Sequence, residues 1–177
     1  MIYTCKYNSA LGGITLASDR ERLTGLWFDG QKYFGDTLPN EYTEARLPIF
    51  DETTLWLDAY FSGKNPDFMP PLHFNTSPFR QAVWEILLSI PYEKTMTYGA
   101  IADKIAEQKG LKKMSTQAVG GAVGHNSVSI IAPCYRVVSS NGSLTGYAGG
   151  INKKIQLLTL EKVNMSGFFV SKKGTAL

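Results

Sequence analysis

Ile130-Ile131-Ala132-Pro133-Cys134-Tyr135-Arg136-Val137-Val138 is an apolar run broken by a proline, and the residue after that proline is one of only two cysteines in the chain. Proline fixes its own φ and pushes the preceding Ala132 toward extended backbone, so Cys134 stands at a rigid, defined position. An apolar wall on one side and Tyr135-Arg136 on the other suit a thiol held in a pocket beside a cation. Such surroundings favour the thiolate, the nucleophilic form. A plain core cysteine between buried strands satisfies the same residues, since free cysteine is among the most buried residue types. The flanking sequence has to decide between the two.

The chain has 177 residues, 44% apolar and 19% charged. That is the composition of an ordinary globular protein, long enough for a sizeable core in one domain or two small ones. No apolar run approaches the ~20 residues that span a bilayer, and Met1 leads directly into a strand-like segment rather than a signal peptide. Two distant cysteines make no disulfide framework, so the expectation is a cytoplasmic protein, nucleoid-associated in a bacterium or nuclear in a eukaryote, with no membrane role. The net charge of +3 hides an asymmetry. Residues 1–76 carry 6 basic against 10 acidic side chains (−4), and residues 77–177 carry 12 against 5 (+7). A basic half points to a polyanion partner for the C-terminal part.

Residues 2–7, 14–18 and 23–28 read as three strands of an antiparallel meander, with Asn8 to Gly13 and Asp19 to Arg22 as turns. After a loop with Pro39 and Pro48, Asp51 is expected to cap a helix carrying Leu55, Leu57, Tyr60 and Phe61 that Gly63 ends. The prolines from Pro66 to Pro71 form a connector, and Ser77-Pro78 is a helix start, with serine at the cap and proline at the first helical position. Phe79, Val83, Trp84 and Leu87 recur at helical spacing behind it. The fold class is therefore α+β, with an N-terminal domain over 1–75 and a mostly helical domain over 76–177.

Thr97 opens the next helix, with Ile101, Ile105 and Leu111 facing inward and Lys104, Lys109, Lys112 and Lys113 on or after it. Ser115 caps a second, short helix from Thr116 to about Gly124. Two short helices, tightly joined and flanked by lysines, read as helix-turn-helix, although helical hairpins are also common core elements. The second helix holds Ala118, Gly120, Gly121, Ala122 and Gly124, and each interior glycine costs ~1 kcal/mol relative to alanine. Close backbone approach, to another helix or to a nucleic acid groove, is the usual compensation. A helix of small residues fits a narrow minor groove, where little sequence information exists. Residues 139–150 are a Ser/Gly/Asn-rich loop around Tyr147, suited to folding over a flat ligand or to serving as a plain connector. The last helix, 151–163, puts Glu161 on one face with Ile155 and Leu158, which needs a partner if it is buried. The tail from Ser166, ending in Lys172-Lys173-Gly174, is expected to be loosely ordered.

Pro133-Cys134-Tyr135-Arg136-Val137 resembles the Pro-Cys-His-Arg-Val signature of the O6-alkylguanine-DNA alkyltransferases, the methylated-DNA–protein-cysteine methyltransferases. Phe79-Arg80-Gln81-Ala82-Val83-Trp84, Thr97-Tyr98-Gly99-Ala100-Ile101-Ala102, Ala118-Val119-Gly120-Gly121-Ala122 with Asn126, Ser140-Asn141-Gly142, Gly146-Tyr147-Ala148-Gly149-Gly150 and Leu157-Leu158-Thr159-Leu160-Glu161 match in the same order. The match covers about Ser77 to Val163; residues 1–76 share only general character.

The resemblance implies a ribonuclease-H-like N-terminal domain and repair of O6-alkylguanine in duplex DNA, with O4-alkylthymine a further candidate lesion. The base is flipped through the minor groove and its alkyl group moves irreversibly to Cys134, one transfer per molecule. It implies Tyr135, Glu161, Asn126 and Tyr98 as the other catalytic positions. DNA contacts would come from Tyr98, Gly99, Ser115, Thr116, Gln117, Ala118, Gly120, Arg136 and Ser140, and the base pocket from Tyr98, Val137, Tyr147, Ala148 and Gly149. No cofactor is implied. Some relatives hold a structural zinc, but Cys5 and His73 fall short of four ligands, so no metal is expected. A monomer without an obligate protein partner is expected. Two departures stand out. Gln117 occupies the place of the family's base-displacing arginine, and Tyr135 that of the histidine linked to the buried glutamate. Tyrosine relays a hydrogen bond but is a poor base near neutral pH. The competing readings are a cysteine hydrolase using Cys134 with His125, and a non-catalytic lesion-binding protein.

Overall fold

The computed structural model describes residues 1–171; Lys172-Lys173-Gly174 and the rest of the tail lie outside them. It is an α+β protein of two compact units. The first comprises Met1–Thr76 with Ser127–Ile131, and the second Ser77–Asn126 and the chain from Ala132 onward. The sequence assigned residues 127–131 to the C-terminal domain, but they belong to the first unit.

In the first unit, β1 (Tyr3–Ser9), β2 (Gly12–Ser18) and β3 (Leu23–Phe28) form an antiparallel meander, and the two-residue β4 (Thr43–Glu44) runs parallel to β1 in the order β3-β2-β1-β4. The first two strands run further into their turn than the residue pattern indicated. Ser9 pairs with Gly12, Ser9 Oγ binds the Gly12 carbonyl, and Gly12 takes φ +115°, which glycine adopts without a steric penalty. All six residues of β3 are buried. Gly25 is required there, because a Cβ would stand 1.9 Å from the Trp27 ring.

The open edge of β3 is covered by extended backbone. Leu23 bonds to Pro71 and His73, and Leu26 to Ser127 and Ser129. This pairing captures 127–131, a contact between segments about a hundred residues apart that no local pattern reveals.

Helix α1 (Pro48–Phe61) begins three residues before Asp51, with Leu47 at the cap and Pro48 at the first position. Proline's preset φ suits that place, and Asp51 instead sits in the first turn, where its charge complements the helix dipole. Its buried residues include Trp56, Leu57 and Tyr60, while Leu55 faces out at 64% exposure.

In the second unit, Ser77, Thr97 and Ser115 each accept a hydrogen bond from the backbone three residues on. They start α2 (Pro78–Leu88), α3 (Tyr98–Lys109) and α4 (Thr116–Gly124). Trp84 Nε1 of α2 donates to the Ala122 carbonyl of α4 at 2.8 Å. Phe79 is only half-buried, beneath the Lys109 ammonium. Gly110, in the left-handed conformation, ends α3, and Leu111, expected inside, is 48% exposed.

Between α2 and α3 lies β5 (Met96–Thr97). It pairs in parallel with β6 (Val137–Val138), bringing the start of α3 beside the segment that follows Cys134. α5 (Ile151–Leu160) buries Lys154, Leu157 and Leu158, with Glu161 as its C-cap. The tail is tied down further than expected: Leu144 N–H donates to the Phe169 carbonyl and Phe169 N–H to that of Gly142.

Candidate active site

Pro133 leads into a single 3₁₀ turn, Cys134–Arg136. Asn126 Nδ2 donates to the Ala132 carbonyl at 2.7 Å, and Cys134 N–H donates to the same oxygen at 2.8 Å. The asparagine thus braces the backbone that carries the thiol. Cys134 is only 5% exposed. Burial pushes its thiol above the ordinary range, opposed by a hydrogen bond from Asn126, the charge of Lys154 and the backbone N–H groups of Cys134 and Tyr135.

Tyr135 and Arg136 both turn to Glu161. The Tyr135 hydroxyl donates to Glu161 Oε1 at 2.5 Å. Arg136 Nη2 and Nε reach Oε1 and Oε2 at 2.7 and 2.9 Å, its Nη1 donates to the Ile90 carbonyl at 2.6 Å, and Glu93 N–H adds a contact to Oε2. Glu161 is completely buried and Arg136 nearly so, so each needs the other. This corrects the placement of Arg136 at the DNA. Its guanidinium is spent inside the unit, because its carboxylate partner, Glu161, is buried at the end of α5.

A cleft of about 390 Å³ is lined by Tyr98, Gly99, Thr116, Gln117, Gly120, Ser139, Ser140 and Thr145. Six of the residues expected at DNA therefore share one wall system, and Ser115 and Ala118 are exposed on the first turn of α4. The Tyr98 hydroxyl is hydrogen-bonded to Thr145 and lies close enough to Cys134 to feel its charge; burial raises its pKa. Thr145 Oγ1 is also 3.0 Å from Ser139 Oγ. Of the expected base pocket, Val137 is buried, Ala148 and Gly149 are half-buried, and Tyr147 stands edge-on to Tyr135 at 6.3 Å; of that set, Tyr98 is the one on the cleft wall.

The sequence reading missed Ser139, Thr145 and Lys154. Lys154 is fully buried, and its Nζ donates to the carbonyls of Val137 at 2.6 Å, Thr145 at 3.0 Å and Gly146 at 3.5 Å. Burial lowers its pKa to about 8, and the charge of Cys134 acts in the opposite direction. A signal was present: Lys154, Leu157, Leu158 and Glu161 form an i, i+3, i+4, i+7 stripe, the true inner face of α5. His125 Nδ1 is hydrogen-bonded to the Gly121 carbonyl of its own helix. No group of three or more metal-ligating side chains occurs among the described residues, nor is any helix there long and apolar enough to cross a membrane.

Residues 78–163 match the DNA-binding domain of 6-O-methylguanine DNA methyltransferase, and residues 2–74 match its ribonuclease-like domain. The chain belongs to the 6-O-methylguanine DNA methyltransferase family. The methylated-DNA–protein-cysteine methyltransferase of Haemophilus influenzae is 36% identical over 92% of this chain and 87% of its own. The crystal structure of Mycobacterium tuberculosis O6-methylguanine methyltransferase is 40% identical, with a TM-score of 0.77 over 92% of this chain and 93% of that one. The structure of Mycobacterium tuberculosis OGT in complex with DNA is also 40% identical, with a TM-score of 0.75 over 91% and 92%. In this methyltransferase frame Cys134, Asn126 and Glu161 stand together in one unit, and Tyr135 reaches Glu161 directly.

Proposed function

We propose that the protein repairs O6-alkylguanine in duplex DNA by taking the alkyl group onto Cys134 Sγ. The observation that carries this reading is that Tyr98 stands on the wall of a cleft opened by the first turns of α3 and α4 and lies close to the braced, buried Cys134. A base inside a duplex is out of reach of Cys134 and must leave the stack. Gln117, exposed on α4 and on the cleft wall, is placed to enter the vacated space. A Cβ on Gly121 or Gly124 would meet nothing within 4 Å. Packing within the protein does not call for these glycines, so they suit an external partner, the floor of a minor groove.

In the transfer the thiol loses its proton and the sulfur lone pair attacks the alkyl carbon. The S–C bond forms, the C–O6 bond breaks, and the electron pair stays with the guanine, which is protonated as it leaves. Tyr98, beside both Cys134 and the cleft, is the donor positioned for that proton. The thioether is stable, so each molecule reacts once.

Intact mass after mixing with a duplex containing O6-methylguanine tests the proposal. One added methyl on wild type and none on Cys134→Ala supports it. Binding of the lesion without any mass gain would make the protein a lesion-binding factor instead.

A further inference from the structure

Among the described residues of the second unit two cations are buried, and only one has a carboxylate. Arg136 is forked onto Glu161. Among the described residues no carboxylate lies within ion-pair distance of Lys154. Three carbonyl oxygens satisfy its N–H groups but not its charge, and a buried charge is costly without a counter-charge. The ionisable group whose charge acts on Lys154 is Cys134, and the effect is mutual. The side chains adjacent to Cys134 in sequence are engaged elsewhere: the Tyr135 hydroxyl donates to Glu161, and Arg136 is paired with the same carboxylate. The remaining titratable neighbour is Tyr98 at the start of α3, whose hydroxyl is bonded to Thr145.

We propose that Lys154 is a positioning residue for alkyl transfer, its captive ammonium serving as the counter-charge of the Cys134 thiolate. Its hydrogen bonds at the same time tie the backbone of Val137 to that of Thr145 and Gly146 on the cleft side. The inference rests on Cys134 being the alkyl acceptor. The ammonium stays protonated throughout, the thiol proton goes to solvent, and the sulfur then attacks as described above.

Lys154→Met keeps the length and apolar character of the side chain and removes the charge. Thiolate formation is read by ultraviolet absorbance against Cys134→Ala, and transfer by intact mass with the O6-methylguanine duplex at several pH values. The onset of thiolate should move up by about one to three pH units. Transfer near pH 7 should fall at least about tenfold and recover as the medium becomes alkaline. Lys154→Arg, which keeps the charge, should retain an onset close to wild type. A rate loss that is uniform across pH, with the thiolate onset unmoved, would show a merely structural lysine and overturn the proposal.

If wild type gains no methyl, the transfer reading fails, and the absorbance comparison still judges the lysine separately. Should Lys154→Met not fold, the reciprocal measurement decides: NMR titration of the lysine ε-carbons in wild type and Cys134→Ser. The Lys154 titration should move down when the thiol is removed, and identical titrations would refute the pairing.

Discussion

Tyr135→Phe separates two accounts of how this protein treats its thiol. If Tyr135 relays a hydrogen bond from Cys134 to Glu161, removing the hydroxyl must raise the thiol pKa and slow transfer. The geometry favours another outcome. The hydroxyl is a donor to Glu161 Oε1, while the groups that act on the sulfur are Asn126, two backbone N–H groups and Lys154. Phenylalanine fills the same volume but takes one of the donors from a fully buried carboxylate. A hydrogen bond to a charged group contributes about 1.5–3 kcal/mol, and at about 2–4 °C per kcal/mol for a chain of this size the melting temperature should fall by about 3–12 °C. The Arg136 fork and Glu93 N–H remain, so Glu161 is not orphaned and the fold survives. Thermal unfolding by circular dichroism measures the first effect, and the pH dependence of thiol alkylation in a Cys5→Ser background measures the second. The expected result is a less stable protein with an unshifted thiolate onset. An unchanged melting temperature with a thiol pKa raised by a unit or more would refute this reasoning and restore the relay.

Three further outcomes are expected. Gly121→Ala should stabilise the protein by up to about 1 kcal/mol, since the added Cβ meets nothing, yet weaken duplex binding in a fluorescence anisotropy titration; tighter binding would remove Gly121 from the DNA face. Gln117→Arg should raise the transfer rate on duplex substrate more than on the free modified base, as timed by mass spectrometry, because its work is displacement of the base; equal gains would place Gln117 outside that role. Lys154 also gives stability a pH dependence: its folded pKa of about 8 lies below the 10.5 of an ordinary lysine, so the unfolded chain binds the extra proton between these values and stability should rise with pH across that window. With the thiol removed the Lys154 titration moves down, so urea midpoints of Cys134→Ser should climb from below about pH 8 to about pH 10 relative to Cys134→Ser/Lys154→Met, and parallel curves would contradict the burial of the charge.

The sequence by itself determined what is carried by neighbours in the chain. Ser77, Thr97 and Ser115 mark helix starts because a side-chain oxygen three residues before a free N–H satisfies it wherever the rest of the protein goes. The short apolar segments 14–18 and 23–28, bounded by turn residues, likewise yield strands, and Pro133 holds Cys134 at the start of a turn. The Pro-Cys-Tyr-Arg-Val stretch indicated a methyltransferase only together with the ordered motifs from Phe79 to Glu161 that resemble the family's. Only the tertiary structure decided where the charges point. Arg136 reads as a surface cation until Glu161, 25 residues on, draws it inside, and Lys154, which the sequence reading passed over, is held inside by three carbonyls. Residues 127–131 likewise join the first unit through hydrogen bonds to Leu26, a partner no window along the chain contains. Burial of a charge or capture of a strand edge is settled by the balance between desolvation and a distant partner, and that partner is supplied by the fold.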